Sequence, residues 1–291
     1  MGVIRPRMPL AKQEETEMRS SKPVLAVLTL LLTGLTVPCP AVAEDGAAAE
    51  ARWEDIRSAL FKGKTLIDGS DVLELQAPAR AVEAALVPVG VHVKFPQTAE
   101  RYVTSLSLVI DENPAPLAAV FHFTPDSGQA DIETRLRVND YTYIHAVAET
   151  NDGKTYVVRT YVKAAGGCSA PMSKNAEAEA GHLGEMRFQQ IGAFQPDVPN
   201  RAQVMIRHPN NSGMQMDQIT RLYLPAHYVQ SIAVTLDGKP VLAIDADISL
   251  SEDPHFRFFY LPHGPATLKI SARDNLDQTF SGSWAVGPAG R

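Results

Sequence analysis

Residues 141–162 read YTYIHAVAETNDGKTYVVRTYV. Two runs, Tyr141 to Ala148 and Thr155 to Val162, flank Asn151-Asp152-Gly153-Lys154, an Asp-Gly turn that joins neighbouring antiparallel strands. The same period of two recurs upstream. Val89, Val91, Val93 and Phe95 alternate with Gly90, His92 and Lys94, and Leu106, Leu108 and Ile110 alternate with small polar residues. Leu117, Ala119, Phe121 and Phe123 share one face, as do Ile132, Thr134, Leu136 and Val138, between which Arg135 and Arg137 read as a solvated strand face. Before these strands, Trp53, Ile56 and Leu60 fall at spacings of three and four and predict a short amphipathic helix.

Downstream, the alternation stops at Ala164-Ala165-Gly166-Gly167-Cys168-Ser169-Ala170-Pro171. Residues 172–199 are small, polar and charged and read as a linker, with a helical turn around Ala176 to Ala180. A second β unit follows. Ala202 to Arg207 and Ile219 to Leu224 are candidate strands, Ile232, Val234 and Leu236 run into Asp237-Gly238-Lys239, and Val241 to Ile244, Phe256 to Tyr260 and Thr267 to Ala272 supply more. The reading is mainly β: two immunoglobulin-like antiparallel β-sandwich domains joined by a flexible linker that carries a Gly-Gly-Cys arm.

Composition narrows the function classes. The chain has 291 residues, is 45% hydrophobic and 21% charged, and holds 2 Cys at a formal net charge of −6. Phosphate binding needs clustered Lys and Arg, so nucleic acid is not an expected partner. Two cysteines cannot build a disulfide framework or a cysteine-type zinc site.

The N-terminal segment has the parts of a secretory signal. Met18-Arg19-Ser20-Ser21-Lys22 is basic, Val24 to Leu35 is apolar, and Ala41-Val42-Ala43 fits the small-x-small cleavage rule. Twelve apolar residues span roughly 18 Å against a hydrocarbon core of ~30 Å, too short for a membrane span. Cleavage is expected after about Ala43, with 1–17 an upstream extension and Met18 an alternative start. Cys39 offers lipidation as an alternative, although Pro38 stands where a lipid-anchor site has a small residue. The expected domains are signal 1–43, leader 44–51, a first sandwich 52–168, linker 169–199 and a second sandwich 200–287. Removing 1–43 takes five basic and three acidic residues, leaving 22 against 30 and a charge of −8.

The exported chain then retains one thiol, Cys168, in an oxidising compartment where lone cysteines are unusual. Glycine lacks a Cβ, so Gly166-Gly167 predicts a slim, free-moving stem, and Ser169 and Ala170 add no bulk. The candidate arm is Lys163, Ala164, Ala165, Gly166, Gly167, Cys168, Ser169, Ala170 and Pro171. A solvated thiol there would keep a pKa near ~8.5 and would depend on a partner for activation. The alternatives are a buried structural cysteine and a cysteine hydrolase pairing Cys168 with His182 or His208. The eight histidines contain no HxxxH or HxxH pair, and His208 and His227 read as hydrogen-bonding residues. Neither CxxCH, CxxC nor a phosphate loop occurs.

On these residues the chain resembles the SoxYZ sulfur carriers of periplasmic thiosulfate oxidation. The first half is similar to the Y subunit over roughly 52–168, through Leu75-Gln76-Ala77-Pro78, Asp111-Glu112-Asn113-Pro114-Ala115-Pro116, Thr134-Arg135-Leu136-Arg137 and Val162 to Cys168. The second half is similar to the Z subunit over roughly 200–286, through Ile206-Arg207-His208-Pro209, Leu224-Pro225-Ala226-His227, Ser249-Leu250-Ser251-Glu252-Asp253-Pro254 and Arg273-Asp274-Asn275. The resemblance implies a non-enzymatic periplasmic carrier with no cofactor, a covalent sulfur adduct on Cys168, and a Z-like half that docks on the Y-like half. In the thiosulfate system the arm ends its chain; here Ser169 and a whole domain follow. The fusion is similar to the carriers associated with quinoprotein (PQQ-dependent) alcohol dehydrogenases. Expected partners are periplasmic sulfur-oxidising enzymes, or a PQQ-dependent dehydrogenase and a c-type cytochrome. The alternative function is a docking subunit without covalent cargo.

Overall fold

A computed structural model describes residues 41–171 and 180–288, with side chains from Gly46 onward. In chain order the first half contributes α1 (Ala41–Leu60), β1 (Leu66–Asp68), β2 (Leu73–Gln76), β3 (Val87–Val93) and β4 (Val103–Ile110). It continues with β5 (Leu117–Phe123), β6 (Ile132–Leu136), β7 (Thr142–Thr150) and β8 (Thr155–Val162). The second half contributes β9 (Met186–Ile191), β10 (Asn200–Ile206), β11 (Val229–Leu236), β12 (Lys239–Ala246), β13 (His255–Tyr260), β14 (Ala266–Asp274) and β15 (Thr279–Val286).

The local signals work as read. Gly153 takes φ 80° and its N–H bonds Thr150 O at 2.9 Å, closing the β7–β8 hairpin. Alternate residues of β3, β6, β10 and β14 are buried, and those between them are half-buried or exposed. On β4 and β7 the alternation gives way to unbroken buried runs, because α1 covers the outer face there. Trp53 stacks on His145 at 3.6 Å, and Phe61 packs with Val109 and Val147. The helix is longer than the expected segment from Trp53 to Leu60 and runs back through the expected leader.

Mainly β sandwich architecture is what the chain adopts, but the two halves are not separate bodies on a tether. Nine strands form one sheet in the order β1-β8-β7-β4-β5-β12-β11-β14-β15, and six form the other, β2-β3-β6-β13-β10-β9. Both sheets cross from one half to the other. β5 pairs antiparallel with β12 from Phe123↔Leu242 to Ala119↔Ala246, and β6 meets β13 at Glu133↔Arg257. One hydrophobic core runs between the sheets and draws residues from both halves. Glu133 holds the second crossing by accepting from Arg257 Nη1 at 2.8 Å and pairing with Arg201.

Three sequence expectations need correction. Within the expected linker 169–199, residues 186–191 form β9, an edge strand whose inward face mixes Met186 and Phe188 with Gln190. Gln190 accepts Tyr260 Oη–H at 2.9 Å there, and a polar inward residue disguises the alternation. Ile219 to Leu224 is a loop; Asp217 Oδ1 accepts the N–H groups of Ile219 and Thr220 and turns the chain, leaving Ile219 and Leu222 exposed. Arg137 is no solvated strand face. β6 ends at Leu136, alternation ends with it, and Arg137 is buried. The expected signal with Cys39 lies outside the described residues but for its last three, as does the turn near residue 176 but for Ala180.

Candidate functional site

Past β8 the arm does not swing free. Lys163 N–H bonds Ala79 O and its carbonyl accepts from Ala81, so strand-like pairing continues into the arm. Gly166 takes φ 78°, in open space, and gives its N–H to Asn139 O at 2.7 Å. Gly167 has a different task. Its N–H bonds Val138 O at 2.9 Å, and a Cβ there would lie 2.2 Å from Ala84 O and 2.5 Å from Val138 O. Glycine is required at 167 because the arm is threaded between two backbone segments.

Cys168 follows, and its exposure is 0%. The solvated thiol expected from the sequence is therefore corrected: burial pushes the thiol up to about 11, against the lowering influence of Arg137. Of the other arm residues, Ala164 is buried, Ala165, Ser169 and Pro171 are exposed, and Ala170 is half-buried. Ser169 Oγ–H bonds back to Gly166 O at 3.3 Å.

Loops from both halves make the seat. Arg137, 1% exposed, donates Nη1–H to Gly167 O at 3.2 Å and Nη2–H to Asn210 O at 3.4 Å. Burial depresses its pKa, while Glu252, Cys168 and Glu83 act to keep it charged. Asn113 donates to Arg137 O at 2.7 Å and to Ser249 Oγ at 2.9 Å, and accepts the Asn139 N–H. Ser251 Oγ–H reaches Ala85 O at 2.6 Å. From the second half, Ser212 Oγ–H bonds Cys168 O at 2.5 Å. The stretches around Asn113, Arg137, His208 and Ser249, far apart in sequence, thus converge on the arm. Sequence reasoning missed Arg137 and Ser212 as arm residues; the one available signal was Arg137 lying within a stretch shared with the carrier family.

Among the described residues, neither histidine of the hydrolase alternative is hydrogen-bonded to the thiol. His182 is exposed and pairs with Glu185. His208 instead joins His227 and Asp274, whose ligating atoms lie within 4.8 Å of one another. The Asn210 N–H bonds His208 Nδ1 at 3.1 Å, so the neutral ring carries its proton on Nε2, facing Asp274 Oδ2 at 3.5 Å. His227 Nε2 lies 2.8 Å from the same oxygen. In that tautomer the buried Nε2 of His208 has no hydrogen-bond partner, while His227 and Asp274 bond each other. Burial, with the charge of His227, pushes His208 down to about 4; burial, with Arg135 and Arg257, does the same to His255.

These depressions make stability pH-dependent. An unfolded chain takes up protons near the ordinary 6.5 that the folded chain refuses until about 4. The contribution is complete above 6.5 and is lost as pH falls toward 4. Urea unfolding should show lower stability at about pH 5 than at about pH 7, and His208→Asn should shrink that difference. An unchanged difference in the variant would assign the effect elsewhere.

Comparison with known proteins agrees with this architecture. Residues 57–168 match the family model of the sulfur oxidation protein SoxY, ending on Cys168, and residues 191–285 match that of the sulphur oxidation protein SoxZ. The chain is a SoxYZ protein, with both domains fused. Among solved structures, the sulfur carrier protein SoxY from Chlorobium limicola f thiosulfatophilum is similar at 24% identity and a TM-score of 0.35, over 42% of this chain and 99% of that one. A superoxide reductase (neelaredoxin) from Ignicoccus hospitalis is similar at 18% identity and a TM-score of 0.29, over 32% of this chain and 79% of that one. A putative superoxide reductase from Thermotoga maritima is similar at 17% identity and a TM-score of 0.30, over 36% and 96%. No curated protein matches. In the fusion, β9 lies almost wholly upstream of the SoxZ match yet pairs with β10 inside it.

Proposed function

We propose that this SoxYZ protein carries a sulfur intermediate of sulfur oxidation covalently on Cys168, which the arm Lys163–Pro171 presents to successive enzymes. The observation that supports this most is the position of Cys168: it closes the SoxY match, on the glycine stem that leads from β8 to the SoxZ half. Loading by thiosulfate joins Cys168 Sγ to the sulfane sulfur, making one S–S bond and releasing one proton and two electrons to a c-type cytochrome partner. Tethering then keeps the intermediate at high effective concentration near each enzyme.

Partners fit two systems. Sulfur-oxidising enzymes follow from the family, and a PQQ-dependent dehydrogenase follows from the resemblance of the fused, internal arm. An arm held at both ends loops out rather than threading a deep tunnel. The basic, apolar and Ala-Val-Ala segments before residue 44 support export to the periplasm, and no helix among the described residues is long and apolar enough to cross a membrane.

Intact mass measurement of protein taken from its native compartment tests the reading. The expected result is a sulfur adduct on Cys168 that mild reduction removes and that Cys168→Ser abolishes. Complete burial of the thiol favours a second reading, an accessory subunit in which Cys168 only packs. That reading requires a bare thiol under every growth condition and a Cys168→Ser protein that still supports sulfur oxidation.

A further inference from the structure

The outer face of the six-stranded sheet has a basic hollow where the SoxY and SoxZ halves meet. Strand register lays out its floor. Glu133 of β6 stands opposite Arg257 of β13, and the same register carried two residues along sets Arg135 across from His255. On β3, Gly90 lies beside Glu133 and Pro88 beside Arg135, so a missing side chain and a short one keep that side low. These two rows line a cavity of about 690 Å³.

Its charges do not cancel. Arg257 donates Nε–H to Gln203 Oε1 and Nη1–H to Glu133 Oε2, each at 2.8 Å, while Arg201 pairs with the other oxygen of Glu133. One carboxylate thus serves two guanidiniums. Arg135, half-buried beside them, has none: its Nε is buried without a partner, and among the described residues it forms no ion pair. His255 Nδ1 is also buried without a partner. Such groups call for an explanation such as a ligand or ion. The acids flanking the two strands, Asp131 and Asp253, are bonded to His92 and Arg207. Three arginines against Glu133 therefore leave two positive charges over, in a chain of formal net charge −6.

We propose that this hollow binds a tetrahedral dianion of the sulfate class, held between Arg135 of the SoxY half and Arg257 and His255 of the SoxZ half. Two surplus charges match a dianion. The donors stand on two facing strands, and a tetrahedral group offers oxygens to both, whereas a carboxylate presents its two oxygens in one plane. Both oxygens of Glu133 are taken, so a fully deprotonated anion such as sulfate or thiosulfate fits better than hydrogen phosphate, whose proton needs an acceptor. The open room around it holds bridging water. The anion would tie the halves together at a crossing that β6 and β13 make through the single pair Glu133↔Arg257. Binding on this sheet face neither needs nor tests a carrier role for Cys168.

Sodium sulfate titrated into the full chain tests the site, with sodium chloride lowered to hold ionic strength constant. The readout is NMR of the His255 ring, assigned by its loss in His255→Gln. Burial, Arg135 and Arg257 together push His255 down to about 4, and a dianion between the arginines opposes them. Saturating sulfate should therefore move His255 back toward the ordinary 6.5, along a binding curve that saturates at low millimolar sulfate. Thiosulfate should do the same and acetate should not. Arg135→Gln should weaken sulfate about tenfold or more, the size of one hydrogen bond to a charged group. Arg135→Lys, which keeps the charge without the planar fork, should recover part of that loss. A parent protein whose His255 ignores sulfate overturns the site, whether or not the variants fold. A response that rises linearly and survives Arg135→Gln is the general action of a kosmotropic salt and overturns it too. An equal response to acetate would make the hollow a seat for carboxylates and overturn the sulfate class.

Discussion

Gly167→Ala is expected to expel the arm and raise the alkylation rate of Cys168 at about pH 7.5 by roughly two orders of magnitude. The new methyl would sit 2.2 Å from Ala84 O, 2.5 Å from Val138 O and 2.7 Å from Ala84 C. All three are backbone atoms, and Val138 N–H bonds Ala84 O at 2.8 Å, so no rotamer change relieves the clash. Overpacking of this kind costs about 1–3 kcal/mol or more. The opposing contacts are a few hydrogen bonds of about 1 kcal/mol net each, so the arm leaves before the frame deforms. A freed thiol falls from about 11 toward the ordinary value, which at about pH 7.5 multiplies the thiolate fraction about 100-fold or more. Gly166→Ala is the control. Its Cβ meets nothing within 4 Å, and only the strain of φ 78° opposes it. It should loosen the arm far less. Stopped-flow iodoacetamide labelling across pH reads both variants, and a Gly167→Ala rate within threefold of the parent would mean that the clash is absorbed elsewhere.

The contrast between these glycines shows where sequence reading ends. Gly-Gly before a lone cysteine was read as freedom of movement, and at Gly166 the conformation does need glycine. At Gly167 the absent Cβ serves close approach, which depends on where residues 84 and 138 come to lie. Strands with one wet face were legible because burial stamps a period of two on them, as in β3 and β14. β9 was not, because its inward face is only half covered and contains Gln190. Arg137 was misread for a related reason: alternation predicts exposure only while the strand lasts, and β6 ends one residue earlier. The trio of His208, His227 and Asp274 was also invisible, since no short spacing joins residues that meet only when β14 and two loops are assembled.

The joining of the two halves is the largest structural departure, and it sets the second expectation. Phe256→Ala should destabilise the whole protein by about 3–5 kcal/mol, in a single transition. Phe256 lies on β13 in the SoxZ half, is 0% exposed, and meets Phe121 of β5 in the SoxY half edge-to-face at 6.1 Å. Truncation removes that contact and leaves a void between the two sheets at the place where both cross between halves. In a protein of two tethered sandwiches, the loss would lower the SoxZ melting step and leave a SoxY step in place. Here β5 without β12 and β6 without β13 would expose unpaired edges, and the arm would lose Ser212, whose hydroxyl holds the Cys168 carbonyl from the SoxZ half. Loss of the SoxZ half therefore removes the wall that buries Cys168. Denaturant unfolding followed by tryptophan fluorescence and by Cys168 labelling should give coincident midpoints in both parent and variant. Trp53 reports the SoxY half and Trp284 the SoxZ half, so a labelling curve that separates from the fluorescence curve, or two fluorescence steps, would show that the halves fold independently.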